Sequence, residues 1–171
     1  QEHLGQALVL VESLKHDLKA YPDLYFAGYT QDAIKEFAEA SITLALILDR
    51  PMPMPADMGI ETATYINGLA EVTGELRRRC LDILRQGYSS EAERLLGWMD
   101  DIYSLLVTMD YPDAITNGLR RQTDLARGIV EKTRGDLTLS LRQQQMQSAI
   151  HALSRQLSLQ DLPGEAGQDD H

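Results

Sequence analysis

Apolar residues recur at helical spacing along almost the whole chain, and this periodicity restricts the fold to a helical one. The two clearest stripes are Leu4, Leu8, Val11, Leu14 and Leu18, and Tyr65, Leu69, Val72, Leu76, Cys80 and Ile83. No segment shows a convincing alternation of apolar and polar residues, which is the pattern of a half-buried strand. The sequence therefore predicts an all-α protein, an antiparallel bundle of about five to six helices.

Prolines and glycines set the predicted ends of the first helices. The first helix is expected to stop near Pro22, and a second over residues 30–49 ends at the three prolines of PMPMP, residues 51–55. Proline lacks the N–H that a helix interior needs and clashes with the preceding turn. A third helix is predicted over residues 60–85, with Gly87 just beyond its end.

Two more helices complete the predicted bundle. Ser90 and Glu93 have the spacing of a capping box, so a fourth helix is expected to start at Ser90. Its predicted apolar residues are Leu95, Leu96, Met99, Ile102 and Leu106. The last helix is predicted to begin at Pro112, which suits a first turn, and to pass a weak point at Gly135 before ending near Leu157.

Length and composition indicate one domain. A chain of 171 residues with 43% hydrophobic content can bury a real core, so residues 1–158 are expected to form one domain and residues 159–171 a disordered tail. The uncharged apolar run of residues 40–48 is far shorter than the roughly 20 residues of a membrane span. The single cysteine, Cys80, rules out an internal disulfide and fits a reducing compartment. A soluble, cytoplasmic protein without a membrane partner is the expectation.

The net charge of the chain limits how it can bind nucleic acid. Its formal net charge is −10 at pH 7, whereas a protein that binds nucleic acid over its whole surface needs cations to neutralise phosphates. A polyanionic partner must therefore contact a local basic patch.

Two glutamates stand in a segment that is otherwise free of charge. Within EFAEASITLALIL, residues 36–48, Glu39 is the last charged residue before Asp49. At about 3.6 residues per turn, Glu36 and Glu39 share one face of the helix. The continuation of that face is apolar, so the helix is expected to be covered on both sides. A buried carboxylate without a partner is unfavourable, and a cation beside these glutamates is predicted.

A second pair of glutamates occurs in LAEVTGELRRRC, where Glu71 and Glu75 are four residues apart. Two such pairs on neighbouring helices would form an oxygen-only site, which hard cations such as Mg²⁺ or Mn²⁺ prefer. Gly68 and Gly74 are expected to let a ligand or another chain come close. Ordinary ion pairs remain an alternative, with Glu75 bound to Arg79 and Glu36 to a nearby lysine.

These segments resemble those of a known family. AEVTGELRRRC resembles the (D/E)-x-T-G-E-L-x-R-x-C signature of the translin family, and EFAEA resembles the E-F-V-E-A segment of its catalytic branch, translin-associated factor X. Three further segments match in the same order: HLGQALVLVESLK, GWMDDIYSLL and NGLRRQTDLARGIVEKTRGDLTL. The resemblance covers most of residues 3–140 and implies the translin-like α-superhelical fold.

The resemblance also implies an activity. The catalytic branch is a metal-dependent endoribonuclease that uses four carboxylates, and the matching positions here are Glu36, Glu39, Glu71 and Glu75. Glu71 stands where that branch usually has aspartate, which lengthens one ligand by a methylene. The implied protein hydrolyses single-stranded RNA with Mg²⁺ or Mn²⁺. DNA is a second implied partner, because translin itself binds both RNA and DNA. The implied protein encloses its substrate in a closed homo-oligomer with a basic lining.

Two groups of arginines are candidates for contacting RNA phosphates. Arg77, Arg78 and Arg79 directly follow the Glu75 turn, and Arg120 and Arg121 open the last helix. A solvated helix face is the alternative interpretation of both groups.

Other classes of function are distinguished by simple features. A ferritin-like di-iron bundle needs Glu-x-x-His pairs, and the sequence has none. An all-α nucleoside triphosphate pyrophosphohydrolase also uses Glu-x-x-Glu with a second acidic pair, so it remains an alternative enzyme. A non-catalytic RNA- or DNA-binding scaffold is the alternative without chemistry. The methionines of PMPMPADM, residues 51–58, are expected to be exposed at a subunit contact.

Overall fold

The computed structural model of the chain describes residues 2–109 and 118–160, and these residues form helices and no strand. The helices are α1 (Glu2–Asp17), α2 (Pro22–Tyr25), α3 (Gly28–Ile47), α4 (Pro55–Met58), α5 (Thr62–Leu84), α6 (Ser90–Thr108) and α7 (Leu119–Gln160). The predicted all-α class is confirmed by five long and two one-turn helices in these ranges. None of the described helices combines the length and apolar character needed to cross a membrane. The predicted helix start at Pro112 lies outside the described residues.

Helix α5 lies at the centre of the bundle and contacts α3, α6 and α7. Its predicted apolar stripe is buried from Tyr65 to Cys80, and Ile83 is partly buried against the same core. Helix α6 contributes six buried residues, Ala92 and the five that were predicted: Leu95, Leu96, Met99, Ile102 and Leu106. The face of α5 that is turned away from this core carries the glutamates.

The cap of α6 differs by one residue from the prediction. Ser89, not Ser90, has the extended backbone of an N-cap, and its hydroxyl accepts a hydrogen bond from the Glu91 N–H at 3.2 Å. Glu93 instead accepts a hydrogen bond from the Tyr88 hydroxyl. Two adjacent serines compete for the same role, and only the backbone angles decide which one caps the helix.

Pro22 begins a helix instead of ending one. Helix α1 already stops at Asp17, and Pro22 is the first residue of the one-turn helix α2. Its fixed φ and its missing N–H are compatible with a first turn, where that N–H has no intrahelical partner.

The proline-rich segment folds back on the bundle. The Tyr65 hydroxyl donates a hydrogen bond to the Pro53 carbonyl at 2.8 Å. Met52 and Met58 are packed against the core, and only Met54 is largely exposed. Two of the three methionines predicted to be exposed are therefore used for packing within the chain.

Helix α7 is continuous through Gly135, where a weak point was predicted. It extends to Gln160, two residues past the predicted domain end, and residues 161–171 of the predicted tail lie outside the described part of the chain. Its first half packs on α5 and α6 through buried residues such as Val130 and Leu137. Every residue from 142 to 157 is exposed, so the second half extends beyond the bundle.

Candidate metal centre

The candidate site lies where α3 approaches α5, and Gly68 is the residue that permits the approach. A Cβ at position 68 would lie 2.9 Å from the Lys35 backbone oxygen and 3.3 Å from the Glu39 backbone nitrogen. Glycine is required because backbone atoms at these distances leave no room for a side chain. The prediction was that Gly68 lets a ligand or a second chain come close. The structure corrects this, because the backbone next to Gly68 belongs to α3 of the same chain. A Cβ on Gly74 would meet nothing within 4 Å.

This approach brings the predicted carboxylates of the two helices together. Glu36, Glu39 and Glu71 each place one oxygen within 4.8 Å of the other two. Glu75 is not part of this close group, but it lines a cleft of about 390 Å³ together with Glu36 and Glu39. The other lining residues continue the uncharged face of α3: Ala40, Thr43, Leu44 and Ile47. The cleft is thus lined by three carboxylates and by a largely apolar stretch of α3.

Lys35 is the cation beside these carboxylates. Its Nζ lies 2.9 Å from Glu71 Oε1, 3.7 Å from Glu36 Oε1 and 4.0 Å from Asp32 Oδ1, and its side chain is only 17% exposed. Burial lowers the pKa of the ammonium, but the hydrogen bond and charge of Glu71, with Glu36 and Asp32, outweigh that effect and raise the pKa. Lys35 therefore stays charged and offsets part of the acidic field.

Glu39 is the carboxylate in the least favourable environment. Burial, together with the charges of Glu71, Glu36 and Glu75, raises the pKa of Glu39 to about 7, although Lys35 acts to lower it. A pKa raised by burial and by like charges means that the ionised carboxylate is poorly stabilised. A divalent cation in the cluster would relieve both causes.

Helix α7 also reaches the cluster. The Gln122 Nε2 donates a hydrogen bond to Glu71 Oε1 at 3.3 Å. A second cleft, of about 420 Å³, lies beside it. Its lining is Ala70, Glu71, Gly118, Arg121, Gln122, Leu125, Ala126 and Ile129. Sequence reasoning missed Gln122, because nothing in its local sequence indicates contact with a residue 51 positions earlier. For Lys35 there was a signal, since it stands one helical turn before Glu39.

The predicted arginines fall into two environments. Arg77 donates a hydrogen bond to Thr133 at 3.0 Å and pairs with Asp136 at 2.9 Å, so it joins α5 to α7. The side chain of Arg78 is 78% exposed, and its Nη1 lies 3.9 Å from Glu75 Oε2. The sequence had suggested Arg79, not Arg78, as the ion-pair partner of Glu75.

The remaining arginines are Arg79, Arg120 and Arg121, and all three are exposed. Arg121 lies at the cleft next to Glu71. The structure thus places Arg121 in the lining of the second cleft and Arg78 beside Glu75 of the first.

Solved structures share this arrangement of helices. AfC3PO, solved both alone and in complex with duplex RNA, is 34% identical, with a TM-score of 0.75 over 81% of this chain and 72% of that chain. Apo-NeC3PO is 21% identical with a TM-score of 0.73 over the same shares, and at that identity it supports the fold alone.

A curated protein from Methanocaldococcus jannaschii, the uncharacterized protein MJ0175, is 37% identical over 123 residues. The match covers 71% of this chain and 54% of that protein, so the chain spans about half the length of its curated relative. No protein-family model matches the chain.

Proposed function

This chain belongs to the translin family, and from that membership we propose that it is a metal-dependent endoribonuclease acting on RNA inside a closed homo-oligomer. The observation that carries the proposal is the convergence of Glu36, Glu39 and Glu71 on one point, with Glu75 at the edge of the same cleft. The complex of AfC3PO with duplex RNA supports RNA as the ligand class. We propose single-stranded RNA as the substrate, because unpaired strands expose both backbone and bases to a cleft.

The donor set fits a hard divalent cation. Mg²⁺ binds oxygen ligands at about 2.1 Å, so two ligands of one ion lie about 3–4 Å apart. Oxygens within 4.8 Å of one another need only small side-chain movements to reach that geometry. Glu36, Glu39 and Glu71 would hold the ion, and Glu75 would bind a second ion or a water beside it. Bound Mg²⁺ or Mn²⁺ would activate water and neutralise charge on a scissile phosphate.

Exposed arginines at the clefts would bind the RNA backbone. Arg78 and Arg121 present guanidinium groups to solvent within reach of the carboxylates, and Arg79 and Arg120 extend the same basic regions along their helices. We leave Arg77 out of this group because Asp136 and Thr133 already engage it. Guanidinium groups form bidentate contacts with phosphate.

An exposed stripe on α7 supports the proposed homo-oligomer. We define the α7 seam as Leu139, Met146, Ile150, Leu153 and Leu157, each at least 54% exposed. Their spacing of seven, four, three and four residues places them on one side of the helix, as in a coiled coil. Residues 137–160 include no aspartate or glutamate, so two copies can pair there without repulsion between carboxylates. Pairing of copies through the α7 seam would help to form a closed oligomer that is acidic on its outer surface and holds RNA inside.

A cytoplasmic location is part of the proposal. Cys80 is free and fully buried, and its pKa is raised to about 11 by burial and by Glu91. A thiol in that state is inert and needs no oxidising compartment.

The decisive test is cleavage of labelled single-stranded and duplex RNA, with Mn²⁺ or with a chelator. We expect metal-dependent cleavage by the wild-type protein and a loss of at least about a hundredfold in Glu39→Ala and Glu75→Ala, since each removes a ligand or its charge. Glu131→Gln is the matched control, because Glu131 is an exposed carboxylate of α7 that pairs with Arg127. Undiminished cleavage by both alanine variants contradicts the proposed activity.

The same assay separates the alternatives. A non-catalytic scaffold would bind RNA equally well with or without the glutamates and would cleave nothing. A pyrophosphohydrolase would turn over free nucleoside triphosphates, a possibility supported by the Glu36-x-x-Glu39 pair facing Glu71 on the adjacent helix.

A further inference from the structure

We propose that Gln122 is a positioning residue for the metal centre, and that with Lys35 it fixes the Glu71 carboxylate by a single oxygen. This inference rests on the proposed metal site and adds to it a residue from a third helix. Both donors reach the same atom: Lys35 Nζ is 2.9 Å and Gln122 Nε2 is 3.3 Å from Glu71 Oε1. We call this arrangement the Glu71 clamp.

The clamp divides the two oxygens of Glu71 between two tasks. Among the described residues, no donor contacts Glu71 Oε2. A carboxylate can use one oxygen for the protein and the other for a cation, and second-shell contacts of this kind orient metal ligands. Oε2 is therefore the atom left to bind the ion together with Glu36 and Glu39.

The contact with Glu71 leaves the other end of the Gln122 amide without a hydrogen bond. Its Oε1 is buried and has no hydrogen-bond partner among the described residues. Leaving a buried acceptor unpaired costs about 1–3 kcal/mol. Reversal of the amide would not help, because its oxygen would then face the Glu71 carboxylate. An amide held in an orientation that leaves one end unsatisfied indicates that the contact with Glu71 is the reason for the residue.

The long glutamate side chain explains why a clamp is needed. Fixing a mobile glutamate side chain in one conformation costs up to about 2 kcal/mol of rotamer entropy. If the glutamate is already fixed before the ion binds, the binding free energy does not include that loss. Gly68 contributes indirectly, because it admits the α3 backbone at Lys35 and so brings that ammonium to Glu71. Three helices thus meet at one carboxylate: α3 through Lys35, α5 through Glu71 and α7 through Gln122.

A purely structural role for Gln122 predicts a different result from a positioning role. Gln122→Met keeps the length of the side chain and the net charge of the site, but removes the donor and the unpaired acceptor. If the residue only joined α7 to α5, the variant would lose stability without metal and bind metal normally. If it positions Glu71, metal-free stability should be unchanged or higher, while metal affinity should fall.

The test is Mn²⁺ binding to the full chain, measured by calorimetry and by the signal of free Mn²⁺ in electron paramagnetic resonance, with melting curves in chelator. We expect Gln122→Met to weaken binding about tenfold, as is usual for partners of metal ligands. Gln145→Met is the matched control, being exposed on the distal half of α7. Gln122→Leu provides a second variant if the first does not fold.

The possible failures can be told apart. Mn²⁺ binding by wild type with equal affinity in the folded Gln122 variants would overturn the clamp and leave the metal site standing. No Mn²⁺ binding by the wild-type protein would overturn the metal site and the clamp together.

Discussion

Helix α5 and the distal half of α7 have opposite surroundings. Ten residues of α5 are buried, and the helix is packed against α3, α6 and α7. The distal half of α7, residues 142–157, is exposed at every position, although it carries four residues of the α7 seam. One helix is completed by its own chain, whereas the other presents an apolar stripe that no described residue covers.

This difference separates the two parts of the proposed function. The carboxylates lie between helices that hold each other in place, so metal binding should be a property of a single chain. The α7 seam is outside that framework, so assembly should depend on surfaces that can be changed without disturbing the site. Apolar stripes of this size on a surface indicate association.

The largest effect is expected from a charge in the seam. Leu153→Glu would place carboxylates against each other between paired copies, and the mass in solution should fall to half or less. Ser148→Glu introduces the same charge on the opposite side of the same segment and should leave the mass unchanged. Light scattering measures both, and Mn²⁺ binding per chain should be equal in the two variants. Equal masses for wild type and Leu153→Glu would show that the seam is not an interface.

A smaller but still large effect is expected where α5 meets α3. Gly68→Ala places a Cβ 2.9 Å from a backbone oxygen, and overpacking of this kind costs about 1–3 kcal/mol. Gly74→Ala on the same helix meets open space and should stabilise the protein by about 0.5–1 kcal/mol through helix propensity. Denaturant unfolding compares the pair. A Gly68→Ala protein as stable as Gly74→Ala would contradict the close approach on which the site depends.

The smallest effect concerns the charge of Glu39. Because its folded-state pKa is raised to about 7 from 4.5, the folded protein binds this proton more tightly than the unfolded chain does. The protonated Glu39 side chain therefore contributes to the free energy of unfolding at low pH, and this contribution is lost as the pH rises from about 4.5 to about 7.

Glu39→Gln removes that dependence. In chelator at pH 8 the variant should be more stable than wild type, by about 1 kcal/mol once solvent screening is allowed for, and the two should converge near pH 5. Melting curves across this range test the sign, and they should also show a Mn²⁺-induced shift in wild type that the variant mostly lacks. A variant less stable than wild type at pH 8 would mean that Glu39 is an ordinary ion-pair partner.

Local pattern indicated the long helices and, in α5 and α6, most of the residues they bury, whereas in α1 only Val11 of the predicted stripe is buried and Leu8 is exposed. The stripe from Leu95 to Leu106 was predicted and is buried, because a helical period reports which side chains share a face. The pairing of Glu36 with Glu39 on one face follows from the same geometry. Local pattern predicted the start of α6 at Ser90 correctly but not its capping residue, Ser89, and it did not predict that Pro22 begins a helix. Proline and serine suit more than one position near a helix end.

Contacts between helices were decided by the tertiary structure alone. Sequence order treats Arg77 and Arg78 alike, but Asp136 of α7 engages the first and solvent surrounds the second. Lys35 and Gln122 meet at Glu71 although they are far apart in the chain. The periodicity of one helix carries no information about which partner crosses it or at what distance. That distance depends on packing, and in this protein on the missing side chain at Gly68.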